Sequence, residues 1–194
     1  MNVAVLKPMS LAEFLEWEDR QPLRYEFDGI GPVAMTGGTF AHAVIQRNLA
    51  FALTGRLRGK PCQFLGSDLK FQVAAGHIRY SDGMILCSSL DRAATVVHEP
   101  VVVFEILSPS TTRVDRLIKA REYQATPSVQ RYVMLEQDSI GATVYARAGA
   151  SWTHEILVAD SSLSLPEVEV EVALAELYDG LTFEADPQSD SDRS

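Results

Sequence analysis

Residues 101–107 read VVVFEIL, and this stretch decides the fold prediction. It is almost entirely apolar and rich in β-branched residues, which is typical of a central strand that is buried on both faces of a sheet. A single charged residue interrupts it, Glu105. A lone ionised carboxylate inside such a strand is strongly unfavourable unless it is paired or bound to a cation. The stretch therefore predicts a central strand and, within it, an acid with a special function.

Helical and strand-like segments alternate around this strand. Strand-like runs occupy much of 62–107 and 129–158, and a short helix is predicted around 172–177. The other helices are predicted to begin at polar capping residues, namely Ser10, Thr39 and Thr112. This order predicts an α/β or α+β domain with a mixed, strongly twisted sheet flanked by helices.

Length and composition indicate one globular domain. The chain has 194 residues, of which 46% are hydrophobic and 22% charged, and these values exclude wholesale disorder, collagen and coiled coils. We expect a single domain over 1–183, and the Asp- and Ser-rich segment 184–194 is predicted to be a disordered acidic tail. The apolar runs are far shorter than the roughly 18 residues that span a membrane. A location in the membrane is therefore not expected.

Two cysteines are too few for a disulfide framework. Cys62 and Cys87 are 25 positions apart and lack CxxC spacing. We interpret them as two buried free thiols in a protein of the reducing cytoplasm. The N-terminus shows no secretory signal, which agrees with a cytoplasmic location.

Charge is distributed unevenly along the chain. The net charge of −9 argues against a nucleic-acid-binding protein. However, 29–67 contains no acid and four basic residues, 113–121 contains four basic residues and one acid, and 167–179 contains five acids and no base. If basic residues bind a substrate, either those of 29–67 (Arg47, Arg56, Arg58 and Lys60) or those of 113–121 should share a face with Asp82, an acid discussed below, and the acidic stretch should lie elsewhere. The alternative is that they form ordinary solvated helix faces.

Several familiar active sites can be excluded. The four histidines form no HxH or HExxH pattern, so no recognisable zinc site is present. No GxGxxG or GK[ST] loop occurs, which excludes the usual dinucleotide and phosphate loops. The Gly-Ser-Asp at 66–68 lacks the second glycine of a nucleophile elbow.

Asp82 and Glu105 are the acids that point to chemistry. Carboxylates at the ends of neighbouring strands form a hard-oxygen site suited to Mg²⁺ or Mn²⁺. Such an ion can hold a phosphate and lower the pKa of a bound water. Lys119, on the following helix, would orient that water or offset charge on phosphorus. The structural alternatives are a turn role for Asp82 and an i, i+4 pair of Lys119 with Asp115.

At these residues the sequence resembles a known family, the Uma-type restriction endonucleases of the PD-(D/E)XK nuclease superfamily. The resemblance covers roughly 11–181, and its most specific element is EILSPST at 105–111. The other matching stretches are RYE at 24–26 with DG at 28–29, GSDL at 66–69, RYSD at 79–82, and Asp115, Lys119 and Tyr123.

The resemblance implies a restriction-endonuclease-like fold and a set of site residues. Asp82 matches the aspartate of the family's Pro-Asp step, and Glu105 matches the acid of the (D/E)XK half-motif. The superfamily lysine would fall at position 107, which is Leu107 here. In this branch the lysine comes from the following helix, and Lys119 fits that place.

Three further residues bear on the site. Glu26 matches an early family glutamate that lies near the metal. His42 is a candidate for a phosphate contact, although a surface or packing role is the simpler interpretation. Ser81 departs from the family pattern, which usually has proline before the aspartate.

The resemblance implies a Mg²⁺- or Mn²⁺-dependent endonuclease that hydrolyses phosphodiester bonds, with DNA as the expected substrate. Enzymes of this kind that cut both strands commonly act as dimers, so a homodimer is expected. The alternative is a catalytically inactive member that binds nucleic acid or protein. The net charge and Ser81 favour that alternative.

Overall fold

Three α-helices and thirteen β-strands build the part of the chain that the structure describes. This structure is a computed structural model, and it describes residues 8–35, 37–107 and 113–183. For 113–115 only the backbone is described. The helices are α1 (Leu11–Glu18), α2 (Phe40–Leu57) and α3 (Arg113–Ala125). The strands are β1 (Tyr25–Phe27), β2 (Pro32–Ala34), β3 (Gln63–Gly66), β4 (Lys70–Gln72), β5 (Ile78–Arg79), β6 (Gly83–Leu86), β7 (Val96–Val97), β8 (Pro100–Ile106), β9 (Arg131–Leu135), β10 (Gly141–Ala148), β11 (Ser151–Val158), β12 (Ser162–Leu165) and β13 (Val170–Ala173).

The strands form a central sheet, a second sheet and a small ribbon. The central sheet has the order β11-β10-β9-β8-β6-β3, in which only β8 and β9 run parallel. The second sheet has the order β2-β1-β5-β4-β7, and β12 pairs with β13. This mixed α+β architecture with twisted sheets confirms the predicted fold class. The strand predicted over 101–107 is β8, which lies inside the central sheet as expected.

The prediction of a helix around 172–177 is wrong in its first half. β13 continues to Ala173, and a short 3-10 turn then covers Leu174–Tyr178. Val170 and Val172 are buried while the residues that follow them are exposed. This alternation has the period of a strand, and the ribbon partner β12 provides the hydrogen bonds.

Helices cover both faces of the central sheet. The α2 helix begins at Thr39, whose hydroxyl accepts the His42 backbone N–H, and its buried side packs with Val102 and Phe104 of β8. The α3 helix covers the opposite face, where Tyr123 packs with Val103. β8 is therefore covered on both faces, which explains its apolar sequence.

The second sheet packs beside α3 and is closed by α1. Ser10 and Glu13 form the capping box that begins α1. Phe14 of α1 stacks on Phe27 of β1, with ring centroids 5.0 Å apart. Phe71 of β4 stacks on Tyr123 of α3 at 5.6 Å. These contacts bring the polar side chains of β1 and β5 next to α3.

The two cysteines form a disulfide, so the prediction of free thiols is wrong. β3 and β6 are antiparallel, and Gln63 pairs with Leu86. The next residues outward, Cys62 and Cys87, therefore face each other across the two strands and are bonded. The pairing depends on strand register, which the spacing of two cysteines in the sequence does not reveal.

Within the described ranges, no helix is both long and apolar enough to cross a membrane. The predicted cap at Thr112 and the predicted tail at 184–194 lie outside the described residues.

Removing the disulfide should destabilise the protein. The bond joins residues 25 positions apart. Closing a loop of this length lowers the conformational entropy of the unfolded chain and so stabilises the folded protein by about 3 kcal/mol. We expect Cys62→Ala/Cys87→Ala to lower the free energy of unfolding by about this amount in urea titrations without reductant. With dithiothreitol present, the two proteins should unfold at similar urea concentrations. Equal midpoints without reductant would contradict a disulfide in the folded protein.

Candidate active site

Asp82 and Glu105 lie opposite each other at one end of the central sheet. β6 and β8 are antiparallel, and Gly83 pairs with Phe104. The same register, continued by one residue, puts Asp82 beside Glu105, on the same face of the sheet. Because Phe104 and Ile106 belong to the core beneath α2, Glu105 between them faces the α3 side.

Both carboxylate oxygens of Asp82 have hydrogen-bond partners. The backbone N–H of Ile106 donates to Oδ2 at 2.7 Å, and His42 Nε2 lies 3.0 Å from Oδ1. One turn further along α2, Gln46 Nε2 donates to the Asp82 carbonyl at 3.1 Å. The hydrogen bond to Asp82 raises the pKa of His42 above its usual value, although burial opposes the shift. β8 and α2 thus hold Asp82 from two sides, and His42 contacts this acid.

Glu105 is an acid in a poorly solvated position. Its side chain is 12% exposed, the Tyr123 hydroxyl donates to Oε1 at 2.6 Å, and Lys119 Nζ lies 3.7 Å from the same oxygen. Burial raises the pKa of Glu105 to about 7, the Lys119 charge opposes the shift, and the charges of Asp82 and Glu26 add to it. Burial is therefore the main reason that the ionised form of Glu105 is disfavoured.

Lys119 reaches this cluster from α3, 14 positions after Glu105 in the sequence. Its side chain is 14% exposed, and Nζ donates to Glu26 Oε1 at 3.0 Å. This geometry places the ammonium between two carboxylates, Glu26 and Glu105. The alternative partner, the side chain of Asp115, lies outside the described side chains.

Glu26 joins the cluster from β1 in the second sheet. It is 7% exposed, and its Oε1 also accepts the backbone N–H of Tyr80 at 3.2 Å. Its Oε2 accepts a hydrogen bond from Arg79 Nη1 at 3.3 Å. The structure thus brings all four predicted site residues, Asp82, Glu105, Lys119 and Glu26, to one region. Their catalytic and metal-binding roles stay predictions.

A chain of hydrogen-bonded ionisable side chains extends from Glu26. Arg79 is 5% exposed and donates to Glu122 of α3 through Nε at 2.6 Å and Nη2 at 2.7 Å. His77 Nδ1 lies 2.7 Å from Glu122 Oε1. Burial alone would raise the pKa of Glu122, but the hydrogen bonds from Arg79 and His77 bring it below its usual value. Negative and positive charges therefore alternate from Glu122 through Arg79 to Glu26, and His77 contacts Glu122.

The sequence analysis assigned no role to Tyr123, Glu122 or Arg79. One signal was available, because Glu122 and Tyr123 follow Lys119 by three and four residues and hence lie on the same helix face. Arg79 belongs to the matching stretch RYSD at 79–82, but nothing in the sequence indicated its partners, which come from a different strand and a helix. Its role depends on how the second sheet packs against α3.

The donors at this site fit a hard divalent cation. Asp82 and Glu105 offer carboxylate oxygens, and Mg²⁺ is commonly held by one or two carboxylates while water and phosphate oxygens fill the other positions. Among the described residues, no group of three or more His, Cys, Asp and Glu residues is arranged to hold a metal. A cation bound by Asp82 and Glu105 would therefore take its remaining ligands from water or a substrate phosphate.

The predicted separation of basic and acidic segments is wrong for α2. Arg56 makes two hydrogen bonds to the Glu176 carboxylate, at 2.9 and 2.7 Å. Lys60 Nζ donates to the carbonyls of Val168 and Glu169, at 2.9 and 2.8 Å. The acidic stretch 167–179 packs on α2 through buried apolar residues such as Leu174 and Leu177, and Arg56 and Lys60 add these polar contacts at the C-terminal end of the helix. By contrast, α3 does bring a basic residue, Lys119, to the site.

Comparison with known proteins identifies relatives over nearly the whole described chain. The sequence profile of a family named Uma2, described as "Putative restriction endonuclease", matches residues 11–176. The uncharacterized Synechocystis protein slr1290 is 32% identical over 178 residues, which cover 90% of this chain and 94% of that protein. A second uncharacterized Synechocystis protein, sll1609, is 24% identical over 153 residues, covering 77% and 86%.

A solved structure shares the fold. The crystal structure of "a putative nuclease belonging to DUF820" from Anabaena variabilis superposes with a TM-score of 0.75 at 16% sequence identity. The match covers 88% of this chain and 98% of that one. At this identity the likeness establishes the architecture alone.

Replacing Arg79 should destabilise the protein strongly. Arg79→Met leaves the buried carboxylates of Glu122 and Glu26 without their shared cation, which should lower the free energy of unfolding by about 3 kcal/mol. Arg20→Met is the matched control, because the Arg20–Glu16 ion pair is 64% and 77% exposed. The control should leave the urea midpoint almost unchanged. Similar midpoints for the two variants would show that the Arg79 network is not formed.

Glu105 should make stability depend on pH. Its pKa is about 7 in the folded protein against an ordinary 4.5, so between these values the folded protein keeps a proton that the unfolded chain has released. Stability should therefore fall as pH rises through this window. In metal-free buffer, the unfolding free energy of the wild type should fall by about 3 kcal/mol relative to Glu105→Gln between pH 4.5 and 7.5. Parallel pH curves for the two proteins would contradict the raised pKa.

Proposed function

The chain belongs to the Uma2 family, described as putative restriction endonucleases, and from this premise we propose that it is a divalent-metal-dependent endonuclease. Its reaction would be the hydrolysis of phosphodiester bonds, with DNA as the substrate. The family and the fold of the Anabaena nuclease support a nuclease in general. The metal and the substrate are the finer part of the proposal.

One observation carries the proposal. Asp82 and Glu105 lie side by side on adjacent strands, and the ammonium of Lys119 is 3.7 Å from Glu105. Carboxylates with an adjacent lysine suit metal-dependent phosphodiester hydrolysis, because the carboxylates can bind a cation and the lysine offers a positive charge to the phosphate. The raised pKa of Glu105 supports this function, because burial disfavours the ionised carboxylate, the charges of Asp82 and Glu26 add to this effect, and a bound cation would offset both.

Each residue has a proposed role. Asp82 and Glu105 would hold Mg²⁺ or Mn²⁺, which when bound polarises a phosphate oxygen and lowers the pKa of a water. Lys119 would place its charge where negative charge builds up on the phosphate oxygens. Glu26 would orient the Lys119 ammonium through the 3.0 Å contact. His42 and the Ile106 N–H would fix the orientation of the Asp82 carboxylate.

We further propose that the protein cuts as a homodimer in the cytoplasm. One Asp82–Glu105 pair acts on one phosphodiester at a time, so cutting both strands of a duplex needs a second copy or a second event. The cytoplasmic location is proposed because the proposed substrate is DNA. Free thiols cannot be cited in favour of a cytoplasmic location, because Cys62 and Cys87 are bonded to each other.

Ser81 favours a second candidate function, a catalytically inactive nuclease fold that binds nucleic acid or protein. Ser81 is fully buried, and its hydroxyl has no hydrogen-bond partner among the described residues. A buried unpaired hydroxyl costs roughly 1–3 kcal/mol, and here it lies directly before Asp82. Ser81 also replaces the proline that the family usually has here, so the backbone that orients Asp82 lacks the fixed φ of proline.

Cleavage assays on DNA and RNA panels with Mg²⁺ and Mn²⁺ test the proposed function. We expect Asp82→Asn to abolish cleavage and Lys119→Ala to slow it about 100-fold or more. Lys119→Ala should still bind Mn²⁺ in calorimetry, because the lysine is not a ligand. Asp68→Asn is the matched control, since this acid is 84% exposed and pairs with Arg24. Wild-type rates in Asp82→Asn would refute the proposed site, and absence of cleavage with every substrate would favour the inactive module.

A further inference from the structure

The outward face of α2 carries an unusual row of side chains. Six exposed residues follow one another at intervals of three or four positions and therefore form one stripe along the helix. Its two phenylalanines are 76% and 82% exposed, the highest values among the large hydrophobic residues that the structure describes. This α2 stripe consists of Phe40, Ala43, Arg47, Phe51, Thr54 and Arg58.

The stripe combines aromatic rings with positive charge. Arg47 lies one turn before Phe51 and donates to the Asn48 side-chain oxygen, and Arg58 directly follows the last residue of the helix. Between Phe51 and Arg58 the helix has a glycine, Gly55, with open space where a side chain would stand. A shallow hollow of about 410 Å³ results, and its lining includes Phe51, Thr54, Gly55 and Arg58.

Charge decides between the possible partners of this surface. Residues 29–67 contain no acid, and the acidic stretch 167–179 that packs along α2 contacts Arg56 and Lys60 beside the stripe, where Arg56 is neutralised by Glu176. A second copy that packed with the same stripe would bring arginines against arginines. A polyanion with flat exposed rings matches both features, since phosphates attract arginine and bases stack on phenylalanine. Unpaired nucleotides present these two groups together.

We propose that the α2 stripe binds a single-stranded segment of nucleic acid, with bases stacked on Phe51 and Phe40 and phosphates bound by Arg47 and Arg58. The same helix contacts the site directly, because His42 and Gln46 bind Asp82. A strand bound along α2, which is about 27 Å long, would therefore lead toward the Asp82–Glu105 pair. This last step rests on the proposed nuclease function, whereas binding to the stripe does not.

Binding of a labelled 20-nucleotide oligo-dT, measured by fluorescence anisotropy in EDTA, tests the proposal. Phe51→Ala/Arg58→Ala should weaken binding about tenfold or more, since each stacked base and each phosphate contact contributes substantially. The slope of log affinity against log salt should become shallower by about 0.7 for the lost arginine. Ile156→Ala/Arg92→Ala is the matched control, because it removes an exposed apolar and an exposed basic side chain elsewhere and should bind like the wild type.

Two further measurements separate the outcomes. Absence of cleavage by the wild-type protein, together with stripe-dependent binding, would overturn the proposed nuclease and keep the stripe. Light scattering reports the oligomeric state of each variant. Wild-type affinity in Phe51→Ala/Arg58→Ala overturns the proposal. Weaker binding that accompanies conversion of a dimer to a monomer also overturns it, because the stripe would then be a contact between two copies of the chain.

Discussion

The antiparallel register of β6 and β8 is the constraint on which the rest of the site depends. It puts Asp82 opposite Glu105, on the face that α3 covers. A slip of one residue would turn Glu105 toward the apolar core beneath α2 and would bury a charge without partners. The apolar residues on both sides of Glu105 prevent that slip, because each of them fills one of the two cores. β8 therefore contributes to both cores and also determines the position of Glu105.

Side chains from other elements stabilise the two neighbouring carboxylates, Asp82 and Glu105. Lys119 and Tyr123 approach Glu105 from one helix, and Glu26 approaches Lys119 from the second sheet. Arg79 then holds Glu26 and Glu122 together. The second sheet thus contributes electrostatics as well as packing, and its position against α3 determines where the Lys119 ammonium lies.

Local patterns predicted much of the fold and the site. The apolar run with a single acid identified β8 and Glu105, and the family motif added Asp82, Lys119 and Glu26, which the structure places in one region. Predictions failed where two distant segments meet. The Cys62–Cys87 bond follows from the pairing of β3 with β6, and the contacts of Arg56 follow from the packing of 167–179 on α2. Neither relation has a signature within a single segment.

The most direct test of the account is where a divalent cation binds. Crystals grown with Mn²⁺ would reveal the ion by its anomalous scattering, independently of any activity. The account predicts one peak in direct contact with carboxylate oxygens of both Asp82 and Glu105, and its loss in crystals of Asp82→Asn. A Mn²⁺ peak elsewhere in the protein with none between these two carboxylates would contradict it.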